Sequence, residues 1–269
     1  MKIIKEAINF AKHLADNWYL IFELTRRDFR QKYVTNVFGF AWAILDPLAL
    51  MVIFWVIFGL GLRGGREMEV PFVTYLITGL VAYQCFQTIL SQATGSIKAY
   101  SFLLNKVNFG TSIIPLVKIL SEYFLHSIVV LVMIIILLLN GIFPTLYWLQ
   151  FFYYAFAMGV LLLGLSWFAS AVSLFFPDIQ KLIPIVLRFF FFLTPILWSI
   201  DMFPPRIHWV FKLNPMYYIV MGYRDSFIYG RGFWEEPYLG LYFWSVSAVA
   251  LVIGVAVFIK LKPHFADVV

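Results

Sequence analysis

Long apolar runs separated by short polar stretches make up most of this chain. Six of them read as helical spans: 37–62, 71–92, 113–139, 146–175, 182–200 and 238–259. A helix rises about 1.5 Å per residue and a hydrocarbon core is about 30 Å thick, so about 20 apolar residues suffice to cross it. The last run, 22 residues, fits that length. The fourth, 30 residues, is longer than needed, which predicts tilt or a start in the interface. The fifth, LIPIVLRFFFFLTPILWSI, carries Pro184, Arg188 and Pro195. Proline removes a backbone donor and clashes with the preceding turn, so this span is expected to be broken or kinked.

The stretch KIIKEAINFAKHLADNWYLIF has a different pattern. Ile4, Ile8, Ala11, Leu14, Trp18 and Ile21 recur every three or four residues, and Lys5, Asn9, Lys12 and Asp16 fall largely on the other side. That spacing predicts an amphipathic helix lying in the membrane interface. The expected fold is therefore all-α. An interface helix and basic segment fill 1–35, a six-span transmembrane domain fills 36–260, and a short tail follows at 261–269.

Composition agrees with this pattern. The chain is 62% hydrophobic and 13% charged, against roughly 45–50% and about 25% in soluble domains. The net charge of +6 raises nucleic acid as a partner, but the cations are sorted by loop. With the N-terminus in the cytoplasm, 14 Lys and Arg lie inside and 6 outside. This is the distribution that sets topology and meets anionic headgroups. It predicts a multi-pass protein with both termini cytoplasmic and no role for nucleic acid.

Several chemistries are excluded. Gly59, Gly61 and Gly64 match G-x-G-x-x-G but end a hydrophobic helix instead of following a strand, so the dinucleotide reading fails. No G-x-x-x-x-G-K-[ST] motif occurs. The four histidines are scattered, without metal-ligand spacing. The one cysteine, Cys85, excludes an intrachain disulfide and reads as a buried thiol. No embedded carboxylate pair suggests acid–base catalysis, so no catalytic residue and no metal are expected.

What stands out is charge inside the spans, where ionisable groups are costly and usually paired or functional. Asp46, followed by Pro47, lies about 13.5 Å into the first span. Lys118, Glu122 and His126 form one stripe on the third, and Lys118–Glu122 reads as an ion pair. Arg188 lies about 9 Å into the fifth; it or the third-span stripe is the expected partner of Asp46. The segment 198–238 is rich in aromatics and broken by four prolines. It predicts short external helices dipping into the outer leaflet, and its rings suit sugar faces.

These residues resemble a family. TRRDFRQKY followed by GFAWAILDP (Gly39, Trp42, Asp46, Pro47), then AYSFLLNKVNFG, FPDIQKLIP with TPILW, and NPMYYIVMGYRDSFIYG are similar, in order and spacing, to the permease subunit of bacterial polysaccharide ABC exporters of the type-2 class. Pro177 and Gly110 depart from the family's usual residues. The resemblance implies a homodimer in the bacterial inner membrane with two separate ABC ATPase subunits, which would bind ATP and Mg. No cofactor is implied in this chain. It implies a polyprenyl-diphosphate-linked polysaccharide as substrate, of the O-antigen, capsule or teichoic-acid kind. The loop 98–109, with Phe102, Leu103, Leu104 and Lys106, would seat in the ATPase. Arg26, Arg27, Arg30 and Lys32, which also serve topology, would meet the lipid diphosphate at the inner leaflet. Tyr33, Trp42, Phe192, Trp198, Tyr217 and Tyr218 would line a glycan path with an external gate at 201–237. Rival readings are a type-2 permease for lipids or drugs, a membrane glycosyl- or acyltransferase, and a passive scaffold or channel component.

Overall fold

A computed structural model describes residues 16–33, 39–62, 70–101 and 110–268. The regular elements among the described residues are all helical. The first is α1, Trp18–Tyr33. Next, α2 runs Gly39–Phe54 and continues as a π-helix over Trp55–Leu62. The long helix α3, Phe72–Thr94, is followed by the single turn α4, Ser96–Ala99. Then come α5, Ile113–Leu139, and α6, Gln150–Phe175, which is preceded by a 3-10 turn at Leu146–Leu149. After α7, Ile179–Leu193, short pieces lead through α8, His208–Lys212, and α9, Pro215–Arg224. The last long helix is α10, Pro237–Leu261.

Among the described residues, four stretches are long and apolar enough to cross a membrane: Phe72–Thr94, Ile113–Leu139, Leu146–Phe175 and Pro237–His264. The first and fifth expected spans are the interrupted ones. In α2, Pro47 sits inside the helix and the hydrogen-bond ladder widens to π beyond Phe54. The fifth stops at Leu193. Pro195 disfavours the helical region for the residue before it, and Thr194 is extended, with φ −89° and ψ 135°.

Burial sorts the helices. Around α3, α5, α6, α7 and α9 pack closely, and most of α3 is buried, with Gln84, Gln87 and Thr88 on its partly open side. By contrast α5 and α10 leave Leu131, Ile135, Val249 and Val252 exposed, one face of each standing clear of the bundle. Helix α6 crosses α10 at glycine. A Cβ on Gly164 would stand 2.5 Å from the carbonyl carbon of Ala250, and one on Gly254 would overlap the carbonyl oxygen of Gly164. Only glycines allow backbones this close. Beyond α10, Phe265 folds back into a small core with Phe258, Trp167 and Ile97.

Candidate functional site

Helix α1 has an inner and an outer side. Ile21, Asp28 and Tyr33 are buried, while Arg26, Arg27 and Arg30 are exposed. Trp18 and Ile21, read in the sequence as one apolar side, separate: Ile21 packs on Ile113 and Val117 of α5, and Trp18 is exposed beside Tyr19 and Phe22. The inner side docks on α5 through two ion pairs. Lys118 Nζ meets Asp28 Oδ1. Lys32 Nζ lies 2.6 Å from Glu122 Oε1, and the Tyr33 hydroxyl, 3.3 Å from each Glu122 oxygen, donates to the same carboxylate. The expected Lys118–Glu122 pair is thus replaced, since each group takes its partner from α1. Two residues four apart on one helix can pair, but here a facing helix brings opposite charge to both.

Asp28 Oδ1 also accepts from the Tyr100 hydroxyl at 2.6 Å. Burial, and then the Glu122 and Asp28 carboxylates, push the Tyr33 and Tyr100 hydroxyls well above the usual phenol range. Both therefore stay protonated and donate. Of the four cations expected at a lipid diphosphate, Lys32 is held by Glu122. Arg26, Arg27 and Arg30 form an outward face with no ion pair among the described residues.

A cavity of about 420 Å³ opens between α2, α3, α5 and α7. Its polar lining includes Gln84, Gln87, Thr88, Glu122, His126 and Arg188, and Phe54, Phe191 and Phe192 supply aromatic wall. Arg188 and Phe192 are exposed along α7. Glu122 therefore belongs to both the α1 seam and the cavity wall. His126 Nε2 lies 2.8 Å from the Tyr223 hydroxyl.

Sequence reasoning missed the third feature. Arg224, one of the six outside cations in the loop count, is fully buried. Its guanidinium lies 3.5 Å over the Tyr75 ring and donates to the carbonyls of Tyr75, Pro195 and Ile196 at 3.3, 2.6 and 3.2 Å. It binds α9 to the start of α3 and to the break after α7. The signal was present: Met216, Val220, Tyr223, Arg224 and Phe227 fall at helical spacing on one stripe, and the stripe is buried. A Cβ on Gly79 would stand 2.7 Å from this guanidinium, so the glycine makes its room.

The expected aromatic path is divided within the chain. Tyr217 and Tyr218 are buried, with Tyr218 against Tyr154 and Phe243. Trp198 is half-buried between Phe203 and Phe211, and its indole N–H donates to the Phe192 carbonyl at 3.1 Å. The side chains of Trp42 and Asp46, and all of Phe102, Leu103, Leu104 and Lys106, lie outside the described residues.

Known proteins share this sequence pattern. The chain is 30% identical over 253 residues to an O-antigen export system permease protein RfbA of Klebsiella pneumoniae, covering 93% of this chain and 94% of that protein. It is 24% identical over 251 residues to the protein of the same name in Myxococcus xanthus, covering 92% and 94%. It is 26% identical over 239 residues to the polysialic acid transport protein KpsM of Escherichia coli, covering 86% and 89%. The family described as ABC-2 type transporter matches residues 19–228, from α1 through the buried Arg224 to the turn beyond it, so the chain belongs to the ABC-2 type transporter family.

Proposed function

We propose that this protein is the membrane permease of an ATP-driven exporter that carries a polyprenyl-diphosphate-linked polysaccharide across the bacterial inner membrane. The observation that carries this reading is the outward arginine face of α1, fastened to α5 by buried ion pairs. Among the described residues the three exposed arginines take no ion pair, and the seam is held by Asp28, Lys32 and Tyr33 instead. Guanidinium forks match phosphate oxygens in pairs. A lipid diphosphate at the membrane surface is the ligand that such a face fits. Three relatives named for O-antigen export or polysialic acid transport give the polymer class.

The chain has no phosphate-binding glycine loop of the Walker type, so ATP hydrolysis falls to two partner ATPase subunits seated on the loop 98–109. Two copies of the permease complete the path, with the cavity beside α7 and the aromatics Trp42, Phe192 and Trp198 along it. Arg188 and the other polar lining give sugar hydroxyls partners between those rings. Both termini lie on the cytoplasmic side in this reading.

The test is the triple change R26K/R27K/R30K in the assembled permease–ATPase complex. Topology needs only positive charge and survives it; bidentate phosphate contact does not. Losing one such contact costs about 1–3 kcal/mol, so stimulation of ATP hydrolysis by a polyprenyl-diphosphate-linked oligosaccharide should fall several-fold. An unchanged response, with orientation verified by a cytoplasmic reporter, would reduce these arginines to topology signals.

A further inference from the structure

Asp28 has more partners than a packing role requires. The residue is 6% exposed and stands on the inner side of α1. One of its oxygens, Oδ1, serves both Lys118 of α5 and Tyr100, the residue after α4. Its other oxygen, Oδ2, is buried with no hydrogen-bond partner among the described residues. A buried carboxylate satisfied on one side only is a poor way to gain stability, since an apolar pair of the same volume often does as well. The seam already has apolar adhesion: Ile21 lies against Ile113 and Val117, and the Phe29 ring packs edge-on against Phe124 with centroids 4.7 Å apart. What the carboxylate adds is a junction, in which one atom joins three separate segments.

We infer that Asp28 is a positioning residue that ties the arginine face of α1 to the loop 98–109 through its described first turn, so that the two move together. Tyr100 is the third residue of that loop. Its ring lies 5.2 Å from the Lys118 ammonium, which holds the phenol from a second direction. The turn behind it is anchored by Ile97, which is fully buried. A hydrogen bond of this kind weakens steeply once the heavy atoms part beyond the normal range. A displacement of Tyr100 by an ångström or more must therefore break the contact or carry Asp28 with it. Asp28 is in mid-helix, so the move shifts Arg26, Arg27 and Arg30 as one body. The inference rests on the exporter reading above, in which 98–109 meets the ATPase and the arginines meet the lipid diphosphate.

The experiment uses the complete permease–ATPase complex in lipid nanodiscs. It measures the ratio of ATP hydrolysis with and without a polyprenyl-diphosphate-linked oligosaccharide. Tyr100→Phe removes only the hydroxyl, and the ratio should fall several-fold while the ATPase still co-purifies. Phe29→Leu loosens the apolar part of the same seam without touching the junction, and its ratio should match the unmodified complex. Asp28→Ala combined with Tyr100→Phe should be no worse than the more damaging single change, because both remove one contact. A Tyr100→Phe ratio equal to the unmodified value would overturn the inference. So would a Phe29→Leu loss as large as that of Tyr100→Phe, or additive losses in the double variant. If Asp28→Ala fails to assemble, the other two variants still decide. If the unmodified complex gives no response to the lipid-linked oligosaccharide, the exporter reading itself falls.

Discussion

The seam between α1 and α5 and the seam between α6 and α10 join helices by opposite means. At α1–α5 two ion pairs cross the contact, with Tyr33 and Tyr100 donating to the carboxylates. At α6–α10 the backbones touch at Gly164 and Gly254. A steric seam costs no desolvation, but it tolerates no added atom. A charged seam costs desolvation, which pairing offsets, and it fixes which residue faces which. The molecule places the steric seam within its long apolar helices and the charged seam where α1 meets the base of α5. That division suits a part that stays fixed and a part that has to keep register while its neighbours move.

The comparison can be broken first at the glycines. The atoms that a new side chain would meet at Gly164 belong to the backbone of Ala250 and Leu251, which no rotamer change can move. Gly164→Leu should force the helices apart and cost ~4 kcal/mol or more, the exceptional end of point-mutation effects. The check is a thermal melt with size-exclusion analysis in detergent, and a normal melt would contradict the crossing. Next comes the charged seam. Asp28→Ala strands Lys118, whose side chain is 15% exposed, and loss of one partner of a buried pair costs about 3–5 kcal/mol. Glu122→Ala should cost less, ~1 kcal/mol, because Lys32 is 34% exposed and can turn to water. Equal melts for the two variants would erase the distinction between the pairs. Replacing Asp28 and Lys118 together by Leu and Met should recover most of the loss.

The one change expected to stabilise concerns Asp225, a half-buried carboxylate outside both seams. Its Oδ1 has no partner among the described residues. Burial, chiefly, pushes its carboxyl up from 3.8 to about 6; Glu235 and Glu236 add to the shift, and Arg231 and Arg224 reduce it. With its folded pKa raised, the stability it contributes is fully present below 3.8 and is lost as pH rises through about 6. Asp225→Asn should therefore stabilise the fold at pH 7.5 by ~1–2 kcal/mol and give little at pH 4. Melting temperatures across that range test the sign, and a gap that shrinks with rising pH would be the wrong one.

Much of the helical plan was legible because apolar runs and prolines act locally. The break near Pro195 and the interruption of the first span follow from residues that can be named in the sequence. The amphipathic face of α1 was half legible. The three-to-four spacing found Ile21 but put Trp18 on the same side, and Asp28 was one acid among four cations. Spacing shows which residues share a stripe but not which stripe meets another helix. For the same reason Lys118 and Glu122 read as partners of each other, although α1 supplies a closer opposite charge to each.

The sequence by itself determined the membrane-type composition, the sequence of helices and the family, since each depends on residue identity and order along the chain. Only the tertiary structure decided where the charges end. It buried Arg224 against three carbonyls and the Tyr75 ring, turned Arg26, Arg27 and Arg30 outward, and brought Tyr100 to Asp28 across 72 positions. Whether a charge stands in water or in a pocket depends on the surfaces that fold around it. Those surfaces come from segments far apart in the chain, which no local pattern records.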